Sequence, residues 1–119
     1  MKTNLENKWR LPTKEEFKKV LYPNIEKIPN LKQSLYWSSS LVRYCSAWSF
    51  SLISGLAYSD RLNLYNQVRP VRDVSSDSPN LSKSTIIGNL EVLNKDIGKL
   101  NYFDAVDAVE KLNNIKIKL

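Results

Sequence analysis

Eight residues between positions 43 and 66 carry most of the side-chain chemistry that the regular hydrophobic pattern does not use: Arg43, Tyr44, Tyr58, Asp60, Arg61, Asn63, Tyr65 and Asn66. They lie in "SLVRYCS" and "LAYSDRLNLYN". Tyr, Asn, Asp and Arg together combine rigid aromatic area with hydrogen-bonding tips, the mixture of an adaptable binding surface. The same residues also fit an ordinary polar surface with some tyrosines packed on the core. Catalysis has less to draw on. The chain has no histidine, a single cysteine (Cys45) and no paired carboxylates on a recognisable scaffold, so acid/base or thiol chemistry has few groups to use. Cys45 cannot close an internal disulfide, and without histidine no ordinary Cys/His zinc site forms. The thiol is expected to be buried or merely tolerated, and neither a metal nor a cofactor is expected.

The elements that would position these residues follow from periodicity. "TKEE" at Thr13 is a capping box that starts a helix. Phe17, Val20 and Leu21 share its inner face, Pro23 ends or kinks it, and Ile25 and Ile28 continue that face. From Leu35 the period becomes two. "LYWSS" is a short strand, and "AWSFSL" is a cleaner one, with Trp48, Phe50 and Leu52 on one face and Ser49 and Ser51 on the other. "QVRPVRDV" is a further strand in which Pro70 marks an edge or bulge. "SSDSPNLSKS" is polar and punctuated, a linker. A strand over residues 86–93 then precedes a helix capped by Asn101, with Tyr102, Ala105, Val106, Val109 and Leu112 inward and Asn113 and Asn114 as caps at its end. The order describes an α+β domain.

With 119 residues the chain suits one domain, and no apolar run approaches the ~20 residues that span a bilayer. "MKTNLENKWRLPT" has no apolar h-region, so the expected location is the cytoplasm or a virion or other particle. The net charge is +6. Its surplus lies mostly in the first 35 residues, where lysines alternate with glutamates as on a solvated helix face. Residues 74–119 are balanced. Neither a nucleic-acid nor a membrane partner is expected.

"WRLPTKEEF", "YWSSS…AWSF…G" and "VRPVR" together resemble the bacterial C-type-lectin-like domains typified by the end of the Legionella collagen-like adhesin. That family is similar in fold to formylglycine-generating sulfatase-modifying enzymes and to the variable proteins of diversity-generating retroelements. The resemblance covers residues 9–73. It implies two helices and a small twisted antiparallel sheet. In such domains a strand like "IGNLEV" and a helix like "NYFDAVDAVEKL" come before "WRLPT"; here they come last. The implied architecture is a circularly permuted single domain over residues 1–119: a main part (1–73), a linker (74–84), and a strand and helix (85–119) that complete the fold. Completion within one chain is favoured by proximity, and a swap onto a neighbour is the rival.

Arg10, Arg69 and Arg72 are expected to pair internally with carboxylates or carbonyls, and Trp37, Trp48 and Phe50 to be core. The retroelement relatives place ligand contacts in the region equivalent to residues 43–66. The carboxylate- and amide-bearing triplets by which animal lectins hold calcium are missing here. So are the paired active-site cysteines of the formylglycine-generating relatives. The expectation is a non-enzymatic, calcium-independent module that binds a glycan or protein ligand, on a phage fibre or other displayed particle. The alternative is a structural or assembly protein that self-associates or docks on neighbouring subunits.

Overall fold

Thr13 opens the first helix as its place in "TKEE" requires. Its hydroxyl accepts the Glu16 amide at 3.1 Å, and the Glu16 carboxylate accepts the Thr13 amide at 2.9 Å. In the computed structural model, which describes residues 8–43, 45–74 and 84–117, this helix has three parts. A first turn, α1 (Lys14–Glu16), widens into a π-helical turn over Phe17–Leu21 and tightens into a 3₁₀ turn over Tyr22–Lys27. Pro23 does not end the segment but lies at its kink: it sits in the first turn of the 3₁₀ part, where a missing N–H costs nothing, and Asn24 after it leaves helical geometry at φ −116°, ψ 26°. The wide turn sends both Phe17 and Leu21 into the core, each at 0% exposure.

Among the described residues, eight strands and a second helix complete an α+β arrangement. β1 (Leu35–Arg43), β2 (Ser46–Ser51), β3 (Ala57–Arg61), β4 (Asn66–Gln67) and β8 (Lys99–Leu100) form a sheet in the order β3-β2-β1-β4-β8. β5 (Val71–Asp73), β6 (Ser84–Ile87) and β7 (Leu90–Leu93) form a second sheet, β5-β7-β6. α2 spans Tyr102–Ile117, with Asn101 Oδ1 accepting the Asp104 amide at 2.8 Å as its cap.

Several expectations change here. The sheet is two sheets, and one pairing, β1 with β4, is parallel. "QVRPVRDV" breaks into β4 and β5 because Arg69 and Pro70, both fully buried, turn a corner between the sheets. Residues 86–93 belong to a hairpin: Gly88 takes φ +63° and turns β6 into β7. The linker falls largely on residues 75–83, outside the described residues. Asn113 is not a cap. Its side-chain amide accepts the Trp9 N–H at 2.8 Å and donates to the Trp9 carbonyl at 3.1 Å, fastening α2 to "WRLPT". β7 pairs antiparallel with β5, Val71 opposite Val92 and Asp73 opposite Leu90.

Alternation along β1 divides the interior. Tyr36 faces a core of Phe17, Leu21, Phe50, Leu52, Val71 and Val92. Trp37, its neighbour, faces a second core of Leu11, Ala47, Leu62, Val68, Ala105 and Val109 under α2. Trp37 is fully buried and donates its Nε1–H to the Leu100 carbonyl at 2.8 Å. Phe50 stacks on Phe17 at 5.6 Å. Trp48 departs from expectation: it is half-buried, with the Lys14 ammonium 4.1 Å above its ring. Ser49, expected on the polar face, is fully buried.

Candidate functional site

The three motif arginines are all engaged internally. Arg10 forms a fork on Glu16 at 2.7 and 2.8 Å and reaches Asp73 at 2.9 Å. Burial alone would raise the Glu16 carboxyl, but the Arg10 guanidinium and the hydrogen bonds at Thr13 outweigh it and hold Glu16 below its ordinary range. Arg72 pairs with Glu91 at 2.6 Å and lies 4.6 Å over the Trp9 ring. Arg69 is fully buried. It donates to Asp96 at 2.8 Å and to the carbonyls of Pro29, Asn30 and Leu93. Asp96 also lies 2.9 Å from the Tyr36 hydroxyl. Burial, then this carboxylate, pushes the Tyr36 phenol well above its usual range.

The expected site residues divide into three groups. Tyr44 and the side chain of Arg43 lie outside the described residues. Asp60 and Asn66 turn inward. Asp60 Oδ2 accepts the Ser49 hydroxyl at 2.8 Å and the Asn66 amide at 3.0 Å, and Asn66 is only 5% exposed. Asn66 is therefore a buried structural partner of Asp60, a correction to its reading as a ligand contact, while Asp60 is half-buried with its Oδ2 engaged by both Ser49 and Asn66. In a flat sheet three strand spacings of about 4.8 Å would separate β3 from β4, so the bond also marks how strongly this sheet curls. The third group is displayed: Tyr58 is 43% and Tyr65 61% exposed, and Arg61 and Asn63 are exposed. Tyr58 and Arg61 do not share a face. Tyr58 pairs with Ser49 and Arg61 with Ser46, an odd step apart on β3, so they point to opposite sides of the sheet.

The displayed group converges on the connection 61–65, which is held at several points. The Asp60–Asn66 bond closes its base. Leu62, 8% exposed, anchors its middle; its N–H donates to the Cys45 carbonyl and its carbonyl accepts the Tyr102 N–H. Leu64 N–H closes a turn onto the Arg61 carbonyl at 3.1 Å. Arg61, Asn63, Leu64 and Tyr65 remain outward. Composition singled out three of these four; Leu64 was missed because a leucine in a strand-rich chain reads as core.

Elsewhere, a cleft of about 320 Å³ lies between the first helix and the β6–β7 hairpin, and one of about 230 Å³ between Trp9–Leu11 and α2; neither is lined by an expected site residue. Cys45 is exposed, a tolerated thiol rather than a buried one. Among the described residues no group of three or more His, Cys, Asp or Glu could hold a metal ion, and no helix is long and apolar enough to cross a membrane. No protein-family model, no curated protein and no solved structure matches the chain.

Proposed function

We propose that this protein is a small recognition module with a permuted C-type-lectin-like fold. It binds a glycan or protein ligand without calcium and without chemistry of its own, as part of a virion or other displayed particle. The observation that carries the reading is the connection 61–65, which is fixed at its base, middle and turn yet presents Arg61, Asn63, Leu64 and Tyr65 to solvent. Holding a loop in one shape before binding lowers the entropy lost on association. Tyr and Arg give the largest contact per side chain ordered. The permuted fold is supported by two attachments of the last third of the chain: β7 on β5, and Asn113 on the main chain of Trp9. The non-enzymatic reading is supported by the absence of histidine and of a second cysteine.

The test is a binding screen of the wild type against a printed glycan panel and against cell-surface protein extracts, followed by Arg61→Ala and Tyr65→Ala. Each is expected to weaken the selected interaction by about 1 kcal/mol or more with the melting temperature unchanged. Binding unaffected by both variants would overturn the assignment of the loop. One observation favours the assembly alternative: the β2–β3 turn shows Ile53 at 67% and Leu56 at 58% exposure, apolar area that a neighbouring subunit would cover.

A further inference from the structure

β3 is an edge strand of its sheet, and the phase of its ladder determines which of its backbone groups are free. Ser51 N–H donates to the Leu56 carbonyl, and Leu62 N–H to the Cys45 carbonyl. Between these two bonds the β2–β3 register runs without a shift: Phe50 opposite Ala57, Ser49 opposite Tyr58, through to Ser46 opposite Arg61. Directly hydrogen-bonded pairs alternate in an antiparallel ladder. Tyr58 and Asp60 therefore turn their N–H and C=O groups toward β2, while Ala57 and Ser59 turn both of theirs, and Arg61 its N–H, out of the sheet; the Arg61 carbonyl accepts the Leu64 N–H. Among the described residues no other group hydrogen-bonds the outward N–H groups of Ala57, Ser59 and Arg61. Edges are usually blunted by proline, charged side chains, a bulge or a covering segment. β3 reads "AYSDR", with no proline, no lysine and no bulge; its two charges are Asp60, whose Oδ2 is engaged by Ser49 and Asn66, and Arg61 at its last position, and Tyr58, Ser59 and Arg61 are exposed.

We propose that β3 is a self-pairing edge, joining two copies of the chain antiparallel about a two-fold axis at Ser59 and merging two five-stranded sheets into one. The side chains select the second copy as occupant and Ser59 as the centre. In this register Ser59 faces Ser59 of the other copy, Ala57 faces Arg61, and Tyr58 faces Asp60. Ser59 then exchanges both backbone bonds with its counterpart, and each Arg61 N–H meets the Ala57 carbonyl of the other copy. No like charges stand opposite each other. The Tyr58 phenol, 3.5 Å from the Ser54 hydroxyl in its own chain, meets the Asp60 carboxylate, whose Oδ2 already holds Ser49 and Asn66 and whose Oδ1 accepts no bond among the described residues. Sliding the axis to Tyr58 sets tyrosine against tyrosine and loses this pairing; sliding it to Asp60 sets carboxylate against carboxylate. The strand directions also carry the exposed β2–β3 turn of each copy, with Ile53 and Leu56, alongside the connection that bears Leu64 and Tyr65 in the other. The pairing does not depend on the ligand-binding reading, since it uses the edge backbone and Ser59.

The experiment combines sedimentation with site-directed cross-linking. Wild type is expected to show a reversible dimer in the micromolar to sub-millimolar range. Ser59→Lys sets two ammonium groups against each other at the axis and is expected to weaken the dimer at least about tenfold with unchanged melting. A Cys45→Ser, Ser59→Cys chain is expected to form an intermolecular disulfide under mild oxidation. The facing Cα atoms of a hydrogen-bonded pair lie about 5.5 Å apart, within disulfide reach. Tyr58→Cys in the same background is expected to cross-link much less, because it faces Asp60 rather than itself. Wild type that stays monomeric throughout, a Ser59→Lys dimer of undiminished strength, or cross-linking that is no better at 59 than at 58 each overturns the proposal. Loss of the dimer in Ser59→Lys with ligand binding intact keeps the two readings separate.

Discussion

Arg61 and Arg69 lie on either side of the short strand β4 and meet opposite fates. Arg69 is fully buried, its guanidinium shared between Asp96 and three main-chain carbonyls. Arg61 is exposed on the last residue of β3. Residue type does not separate them; the supply of acceptors does. At the corner between the sheets, the ends of the first helical segment and of β7 leave carbonyls unpaired by the ladders, and a buried carbonyl without a donor is costly. One guanidinium with five donors satisfies several at once. Around the connection 61–65 the backbone is tied to Cys45 and Tyr102 through Leu62 and to Arg61 through Leu64. Among the described residues no acceptor takes a hydrogen bond from the Arg61 guanidinium, and the side chain stays free to meet another molecule.

The comparison breaks most visibly at Arg69. Arg69→Met should leave Asp96 buried and unpaired and several carbonyls without donors, a loss of about 3–5 kcal/mol, which would unfold most of a marginal small domain. Denaturant unfolding checks it. Adding Asp96→Asn should recover part of the loss, because the stranded charge is then gone; no recovery would mean that the carbonyls, not the ion pair, govern the corner.

Next in size is the contrast across β2. Phe50, 1% exposed and stacked on Phe17, should cost about 3–4 kcal/mol when cut to alanine. Trp48, half-buried under Lys14, should cost clearly less, measured as the difference in unfolding midpoints. Equal losses would show that the two aromatics share one core face more fully than the exposures indicate.

These contrasts show what the sequence made legible. The capping box at Thr13, the Asn101 cap and the internal pairing of the motif arginines follow from local chemistry, whereas the docking of β7 on β5 was expected only from the order of elements that the resemblance implies. The break of "QVRPVRDV" did not, because the need to bury Arg69 is a property of the carbonyls that surround it, and those come from residues 29, 30 and 93. The hairpin at Gly88 carried its signal, a Gly-Asn pair between apolar runs, but continuous hydrophobicity on both sides hid it. At the candidate site, the mixture of side chains was visible. Its division was not, because Asp60 and Asn66 find each other only through the curl of the sheet, which no spacing in the chain records.

A smaller effect is expected with acid. The Glu16 carboxyl titrates lower in the folded chain than its ordinary value of 4.5. The folded state therefore binds fewer protons than the unfolded state near that pH. The stability contributed is fully present above the ordinary value and is lost as pH falls through the lowered one. Glu16→Gln should cost about 1 kcal/mol at neutral pH and flatten the loss of stability on the acid side. An unchanged acid limb would assign that loss to other groups.

The smallest expected effect gives the sharpest test of the comparison. Arg61→Ala and Tyr65→Ala should each change stability by no more than about 0.5 kcal/mol, the range of surface substitutions that break no cap, pair or core contact. Tyr65 is 61% exposed, and among the described residues no hydrogen bond or ring contact holds its side chain. Asn66→Ala, one residue away, should cost more, about 1–2 kcal/mol, because it removes the donor that closes the base of the connection onto Asp60. Thermal unfolding of the three variants side by side decides between a displayed loop and a packed one. If Tyr65→Ala falls as far as Asn66→Ala, the tyrosine is part of the staple and its exposure does not mark a binding surface. If only Asn66→Ala falls, the connection is rigid at its base and free at its tip, the condition under which Arg61 and Tyr65 can contribute to binding without contributing to the fold.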